Sequence, residues 1–235
     1  MSLASFYAPY MDLSGAPLTL DEATSKHCIQ VLRMREGDKL RLTDGKGTTA
    51  DAVIRSADKR SCVVTLTDLH PEARTVPRIY MGISPLKNAS RFEWFLEKAT
   101  EIGVEGIIPL LCERTERTSF RKDRMINILV SAMLQSQQAW LPDLREPVEL
   151  EKVLEDPFWG DSRYIAHCMS GEKKPLRELV RQSPASVLLI GPEGDFTPAE
   201  ADMALARGWT PVTLGDTRLR TETAGVVAAT LLRLG

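Results

Sequence analysis

No stretch of this sequence is apolar for long enough to cross a bilayer or to act as a leader. Pro9, Asp12, Gly15 and Pro17 interrupt its first twenty residues, whereas a spanning helix needs about 20 consecutive apolar residues. The expectation is a cytoplasmic protein with no membrane partner. Cysteine is scarce. Cys28, Cys62, Cys112 and Cys168 form no C-x-x-C pair, and the three histidines do not stand at ligand spacing from them. Neither a disulfide framework nor a zinc site is supported, and no metal is expected. Positive charge is not in excess either: 30 Lys and Arg face 32 Asp and Glu, for a net charge of −2. Bulk charge therefore gives no lead to nucleic acid, and any RNA contact must come from local patches. Internal repeats and low-complexity tracts are absent, which excludes solenoid arrays.

What is present is an ample apolar content, 43% over 235 residues, enough for one large domain or two unequal ones. Thr19 to Glu22 read T-L-D-E, a capping box that predicts a short helix ending before Gly37. From Lys39 the period becomes two. Leu40 and Leu42 alternate with charged residues, Asp44-Gly45 supplies turn chemistry, and Cys62, Val64 and Leu66 repeat at every second position. This predicts a small antiparallel β-barrel over residues 1–70. Leu69 to Pro77 loses periodicity and carries two prolines, which suits a linker over 71–77.

Residues 78–235 read as a second, α/β domain. Strands are predicted at 79–83, 106–111, 164–168, 187–190 and 212–214, and helices at 91–102, 124–139, 176–181, 198–207 and 222–233. Alternation of this kind implies a mainly parallel sheet with helices on both faces. In the first of these helices Phe92, Phe95, Leu96, Ala99 and Ile102 recur at three- and four-residue steps, and Gly103 then ends it as a left-handed cap.

Two loops carry the chemistry. Val187 to Ile190 is an unbroken apolar strand that runs into Gly191-Pro192-Glu193-Gly194-Asp195-Phe196, and T-P-A-E at 197–200 is a capping box with proline at its first helical position. That turn lies at the carboxyl end of a buried parallel strand, where open α/β sheets bind ligands. The second loop, Leu214 to Ala224, reads L-G-D-T-R-L-R-T-E-T-A, with Thr221 as a candidate cap for a last helix rich in small residues. Each glycine loop alone fits a purely conformational reading equally well.

Together, G-P-E-G-D-F and L-G-x-x-x-L-R-T-E-T-A resemble the signature of the SPOUT rRNA methyltransferases that modify N3 of a uridine in the 16S decoding region. His27 to Asp38 and Lys98 to Thr115 (K-x-x-E-x-G-V-x-x-I-x-P-x-x-x-E-R-T) are similar to further segments of that family, so the resemblance spans most of the chain. It implies a PUA-like N-terminal barrel, a C-terminal α/β trefoil-knot domain, a homodimer, and S-adenosylmethionine as methyl donor to 16S rRNA in the 30S subunit. It places the donor against Leu189, Gly191, Glu193 and Gly194, and against Leu214, Gly215, Leu219, Arg220, Thr221, Thr223 and Ala224.

The uridine N3 proton must leave before or during transfer, so a base and a group to orient the ring are needed. Glu222 and Arg220 are the candidates. Each has a second reading, Glu222 as a carboxylate favouring a helix dipole and Arg220 as a solvated surface group. For RNA, Arg33, Arg35, Lys39 and Arg41 cluster at the turn into the barrel, with Lys59 and Arg60 nearby, and they fit either phosphate contacts or a solvated edge. His27 is a packing residue or an RNA contact, and Arg114 of the E-R-T turn approaches rRNA or a partner subunit. The chain departs from the family pattern at Asp195, where a second glycine is common, and at Gln138, where an arginine is common, so Gln138 is assigned no role. Two other activities fit the same loops: methylation of another RNA, such as a tRNA ribose, and an inactive RNA-binding module.

Overall fold

The computed structural model describes residues 3–116, 119–160, 162–180 and 183–234. The chain forms two compact units, one of Met1–Arg74 with Met133–Leu141 and one of Thr75–Ala132 with Pro142–Gly235.

The first unit holds a sheet of strands β1 (Ser5–Tyr7), β2 (Leu18–Thr19), β3 (Lys39–Thr43), β4 (Thr48–Ser56) and β5 (Val63–Pro71), in the order β1-β3-β4-β5-β2. The β1 to β3 pairing is parallel and the rest are antiparallel, so the sheet is not uniformly antiparallel as the sequence pattern suggests. Period-two alternation does what it predicts: Leu40, Leu42, Ile54 and Val64 are buried in one cluster with Phe6, Leu20, Cys28 and Cys62. Burial, reinforced by Cys62, pushes the Cys28 thiol up to about 12.

Helix α1 (Glu22–Lys26) continues as a π-helical turn to Val31. Its cap is Asp21, whose Oδ1 accepts from the Thr24 amide at 2.9 Å. Thr19 cannot cap because it lies in β2, so the expected T-L-D-E box is displaced by two residues.

Residues 133–141 complete this unit, although the sequence pattern reads them as the end of a helix in the second domain. The Gly47 amide donates to the Ala139 carbonyl (3.0 Å), the Leu141 amide to Gly45 (2.9 Å) and Trp140 Nε1 to the Glu72 carbonyl (3.1 Å). The Arg74 guanidinium sits 3.9 Å from the Trp140 ring centroid. Gly47, at φ 99°, lies against the indole so closely that a Cβ there would stand 2.1 Å from Trp140 Cζ2. Gly47→Ala is accordingly expected to destabilise the protein by about 3 kcal/mol, combining about 1–3 kcal/mol of overpacking with about 1–2 kcal/mol of left-handed backbone cost. A urea midpoint unchanged from the parent protein would contradict this packing.

The second unit comprises β6 (Arg78–Ile83), α2 (Ala89–Ile102), β7 (Gly106–Leu111), α3 (Lys122–Gln135, its last residues belonging to the first unit), β8 (Asp143–Leu144), β9 (Val148–Glu149), α4 (Leu150–Glu155), β10 (Arg163–Ala166), β11 (Lys174–Pro175), α5 (Leu176–Leu179), β12 (Ala185–Ile190), α6 (Pro198–Ala206), β13 (Thr210–Thr213) and α7 (Thr221–Leu234). Every strand pair is parallel, in the order β11-β13-β10-β12-β6-β7-β8, with β9 also on β7. The two-residue strands β8, β9 and β11 and the six-residue α4 have no counterpart in the sequence reading, since elements this short leave little periodicity to detect. Arg181, the expected end of α5, lies outside the described residues.

Helix α2 is capped by Asn88, which accepts from the Ser90 amide, and ends at Gly103 with φ 87°, as its sequence predicts. Helix α7 packs on α2, β6 and β12. Gly225 permits that approach, because a Cβ would stand 2.6 Å from Phe95 and 3.0 Å from Ile83. At the far end of α7, Arg233 donates to the carbonyls of Pro77, Ile102 and Gly103. Among the described residues no helix is long and apolar enough to cross a membrane.

Candidate active site

Strand β12 ends in the turn Gly191-Pro192-Glu193-Gly194, closed by the Asp195 amide donating to the Pro192 carbonyl at 2.9 Å. Asp195 adopts φ 63°. Its Oδ1 accepts from the Phe196 amide (2.9 Å) and its Oδ2 from the Cys168 amide (2.7 Å), which ties the β12 loop to the loop after β10. Asp195 thus has a structural task where a second glycine would have none. A Cβ on Gly191 would lie 2.9 Å from the Phe196 amide nitrogen and 3.2 Å from the Asp195 carbonyl carbon, so the turn closes only on glycine. Glu193 Oε1 accepts from the Lys87 amide at 3.1 Å.

Beyond the turn, the predicted capping box is present: Glu200 Oε2 accepts from the Thr197 amide and Thr197 Oγ1 from the Glu200 amide. Glu200 Oε1 accepts from Glu113 at 2.8 Å, so this buried carboxylate is fully used for structure. The second loop turns at Gly215, φ 138°, where Thr213 Oγ1 both donates to the Gly215 carbonyl (2.9 Å) and accepts from its amide (3.3 Å). The Arg220 carbonyl accepts from the Ala224 amide at 2.8 Å. Arg220 is therefore the N-cap of α7 and Thr221 its first residue, one position earlier than the sequence suggests.

Between these loops and the end of β10 lies a cavity of about 630 Å³, within the range of roughly 300–1,000 Å³ typical of small-molecule sites. Of the residues singled out in the sequence, Gly191, Glu193, Leu214, Gly215, Leu219, Arg220, Thr221, Glu222 and Ala224 line it. Leu189, Gly194 and Thr223 are not on its wall. Leu189 is buried in the sheet core, Gly194 faces the Arg114 side chain, and Thr223 is half-buried on α7.

The sequence reading assigned no site role to Arg91, His167, Cys168 and Lys173, which also line the cavity. No motif surrounds the last three, and Arg91 sits within an ordinary amphipathic pattern. Lys173 Nζ donates to the carbonyls of His167 (3.1 Å) and Met169 (2.6 Å) and so folds the loop onto itself. Burial, then the Lys173 charge, lowers the His167 pKa against an opposing effect of Asp195. The imidazole is thereby biased towards its neutral form.

Among the described residues, two groups on the wall carry a buried polar atom without a hydrogen-bond partner, His167 at Nδ1 and Glu222 at Oε2, and of these Glu222 is the carboxylate. Its side chain is only 10% exposed, its nearest cation is Arg91 with Nε 3.7 Å from Oε1, and its buried Oε2 has no hydrogen-bond partner. A buried polar atom left unpaired is costly in a folded protein. Among the described residues there is no group of three or more His, Cys, Asp or Glu suited to hold a metal.

The candidate RNA residues are distributed as follows. In the first unit Arg33, Arg35 and Lys39 are exposed, and so are Lys59 and Arg60. His27 is exposed and meets Phe6 edge-on at 5.6 Å. Arg41 is committed to Asp51 at 2.8 Å, and that bond holds the Asp51 carboxyl below its usual range. In the second unit Arg114 donates to the carbonyls of Gly194 (2.7 Å) and Phe196 (3.4 Å), which makes it a buttress of the glycine turn.

Residues 73–233 match the family described as RNA methyltransferase domain, and residues 20–67 match the RNA methyltransferase PUA domain. The ribosomal RNA small subunit methyltransferase E of Synechocystis sp. is 31% identical, over 91% of this chain and 71% of its own length. A chain described as a probable rRNA-methyltransferase from Porphyromonas gingivalis superposes with a TM-score of 0.90 at 39% identity, covering 97% of this chain and 95% of that one. The ribosomal RNA small subunit methyltransferase E of Neisseria gonorrhoeae, solved bound to S-adenosyl methionine, superposes with a TM-score of 0.87 at 27% identity, covering 97% and 95%.

Proposed function

The chain belongs to the RNA methyltransferase family that includes small-subunit rRNA methyltransferase E, and on that premise we propose that it moves the methyl group of S-adenosylmethionine onto N3 of a uridine in 16S rRNA. The observation that carries this reading is Glu222, a buried carboxylate with one unpaired oxygen, on the wall of a cavity formed at the carboxyl ends of β10, β12 and β13.

The residues present suit the donor. Ile190, Leu214, Leu219 and Ala224 give the cavity apolar wall for an adenine, and the tight backbone at Gly191 and the open one at Gly215 suit close approach of a ligand to main chain. Leu189 and Gly194 support the β12 loop from behind, and Thr223 supports the start of α7. When bound, S-adenosylmethionine supplies a methyl on a positively charged sulfur, which keeps the bonding electron pair as the methyl leaves.

The protein's part is to present the nucleophile. N3 of the uracil ring gives its proton to Glu222 Oε2, and the freed pair forms the new N–C bond. Arg220, exposed at the mouth, stabilises the negative charge that spreads to the ring carbonyl oxygens. In this reading the first unit, Met1–Arg74 with Met133–Leu141, is PUA-like and contacts RNA through His27, Arg33, Arg35 and Lys39, and the second unit is a knotted methyltransferase domain. In the same reading Arg41 also braces the β3–β4 strand pair through Asp51, and Arg114 holds the glycine turn. The enzyme works as a cytoplasmic homodimer on the assembled 30S subunit.

The test is methyl transfer from labelled donor to 30S subunits that lack this modification, with the product nucleoside identified by mass. N3-methyluridine in 16S rRNA is expected. Label confined to tRNA would redirect the activity to another RNA, and no transfer to any RNA despite bound donor would leave only a binding module.

A further inference from the structure

Arg91 is an unusual residue to find where it is. It occupies the third position of α2, whose first turn contains no acidic residue, and the positive end of a helix dipole disfavours a cation there. Its side chain is 39% exposed and lines the cavity, and among the described residues it forms an ion pair with Glu222. The 3.7 Å separation is too long for a hydrogen bond yet short enough for strong attraction.

That combination has a chemical meaning. A hydrogen-bonded arginine would occupy the lone pairs of the carboxylate. One held just beyond bonding distance fixes the carboxylate by charge and leaves its oxygens free to accept from something else. Packing of α7 on α2 brings the two residues together, and the other carboxylate oxygen, Oε2, is buried with no partner.

We infer that Arg91 is a positioning residue for the reaction: it aims Glu222 at the incoming uracil N3–H without competing for that bond. The inference rests on the reading of Glu222 as proton acceptor. It assigns Arg91 no contact with the donor and none with phosphate.

The experiment is a double-mutant cycle of methyl transfer into 30S subunits, with Arg91→Ala, Arg91→Lys, Glu222→Gln and the double variant Arg91→Ala/Glu222→Gln. Donor affinity is measured by calorimetry and folding by circular dichroism. Arg91→Ala is expected to lower kcat by about 10²-fold, the scale of a misplaced reacting group, while KM for the subunit and donor affinity stay within roughly twofold. Arg91→Lys should recover most of kcat, because the charge returns. In the Glu222→Gln background, Arg91→Ala should cost nothing further.

A rise in KM with unchanged kcat would make Arg91 an RNA contact and overturn the inference, and so would equal losses in both backgrounds. If Arg91→Ala fails to fold, Arg91→Gln and Arg91→Lys give the same comparison with side-chain bulk retained. Wild-type protein that binds donor but methylates nothing would instead remove the functional reading itself.

Discussion

Glu222→Gln is expected to lower single-turnover methyl transfer by on the order of 10²–10⁴-fold, the usual contribution of a positioned general base, with donor affinity and fold retained. The amide has the volume of the carboxylate but cannot take a proton, and its NH₂ would meet the uracil N3–H donor to donor. Arg220→Ala should lower transfer further still, because Arg220 is exposed at the cavity mouth and its side chain has no recorded protein partner among the described residues. Rate constants from rapid quench, compared at saturating subunit, check both. Full activity in the Glu222 variant would return that residue to a dipole-stabilising role at the start of α7.

The second large effect concerns the donor. Gly191→Ala should weaken binding of S-adenosylmethionine by about 10- to 100-fold. The added Cβ would press on the backbone at Phe196 and Asp195, not on a side chain that can swing aside, and overpacking of about 1–3 kcal/mol translates into that range if it is expressed at the site. Opening this turn also strains the Asp195 to Cys168 bond that joins it to the loop after β10. Calorimetric titration decides the matter. An affinity within roughly twofold of the parent would mean that the turn yields without disturbing the pocket.

The glycine turn was legible in the sequence because every signal for it is local. An apolar strand, a tight turn and a capping box with proline at its first helical position follow one another without interruption from Val187 to Glu200. The amphipathic face of α2 and its Gly103 end were legible for the same reason. Arg91 was not, since its meaning comes from a residue on α7 far along the chain. His167 and Lys173 reach the cavity through the irregular loop after β10, where periodicity gives no information. For Arg41 and Arg114 the sequence shows charge and neighbourhood, but it does not reveal Asp51 across a strand pair or two carbonyls in a distant turn. The cap of α1 slipped by two residues, to Asp21, because Thr19 is held in β2 and Asp21 is the group left in reach of the free amides.

Trp140 has a consequence for how the protein is made. The first unit is encoded first, yet its surface at Gly45 and Gly47 is closed by a tryptophan from residues 133–141. A nascent chain folds its N-terminal portions as they leave the ribosome, but here the β-sheet unit must wait, with that seat open, until the polypeptide has emerged past residue 141. Synthesis of the two units is therefore interleaved, and a gene fragment ending at Arg74 would encode the strands without the plug that finishes them.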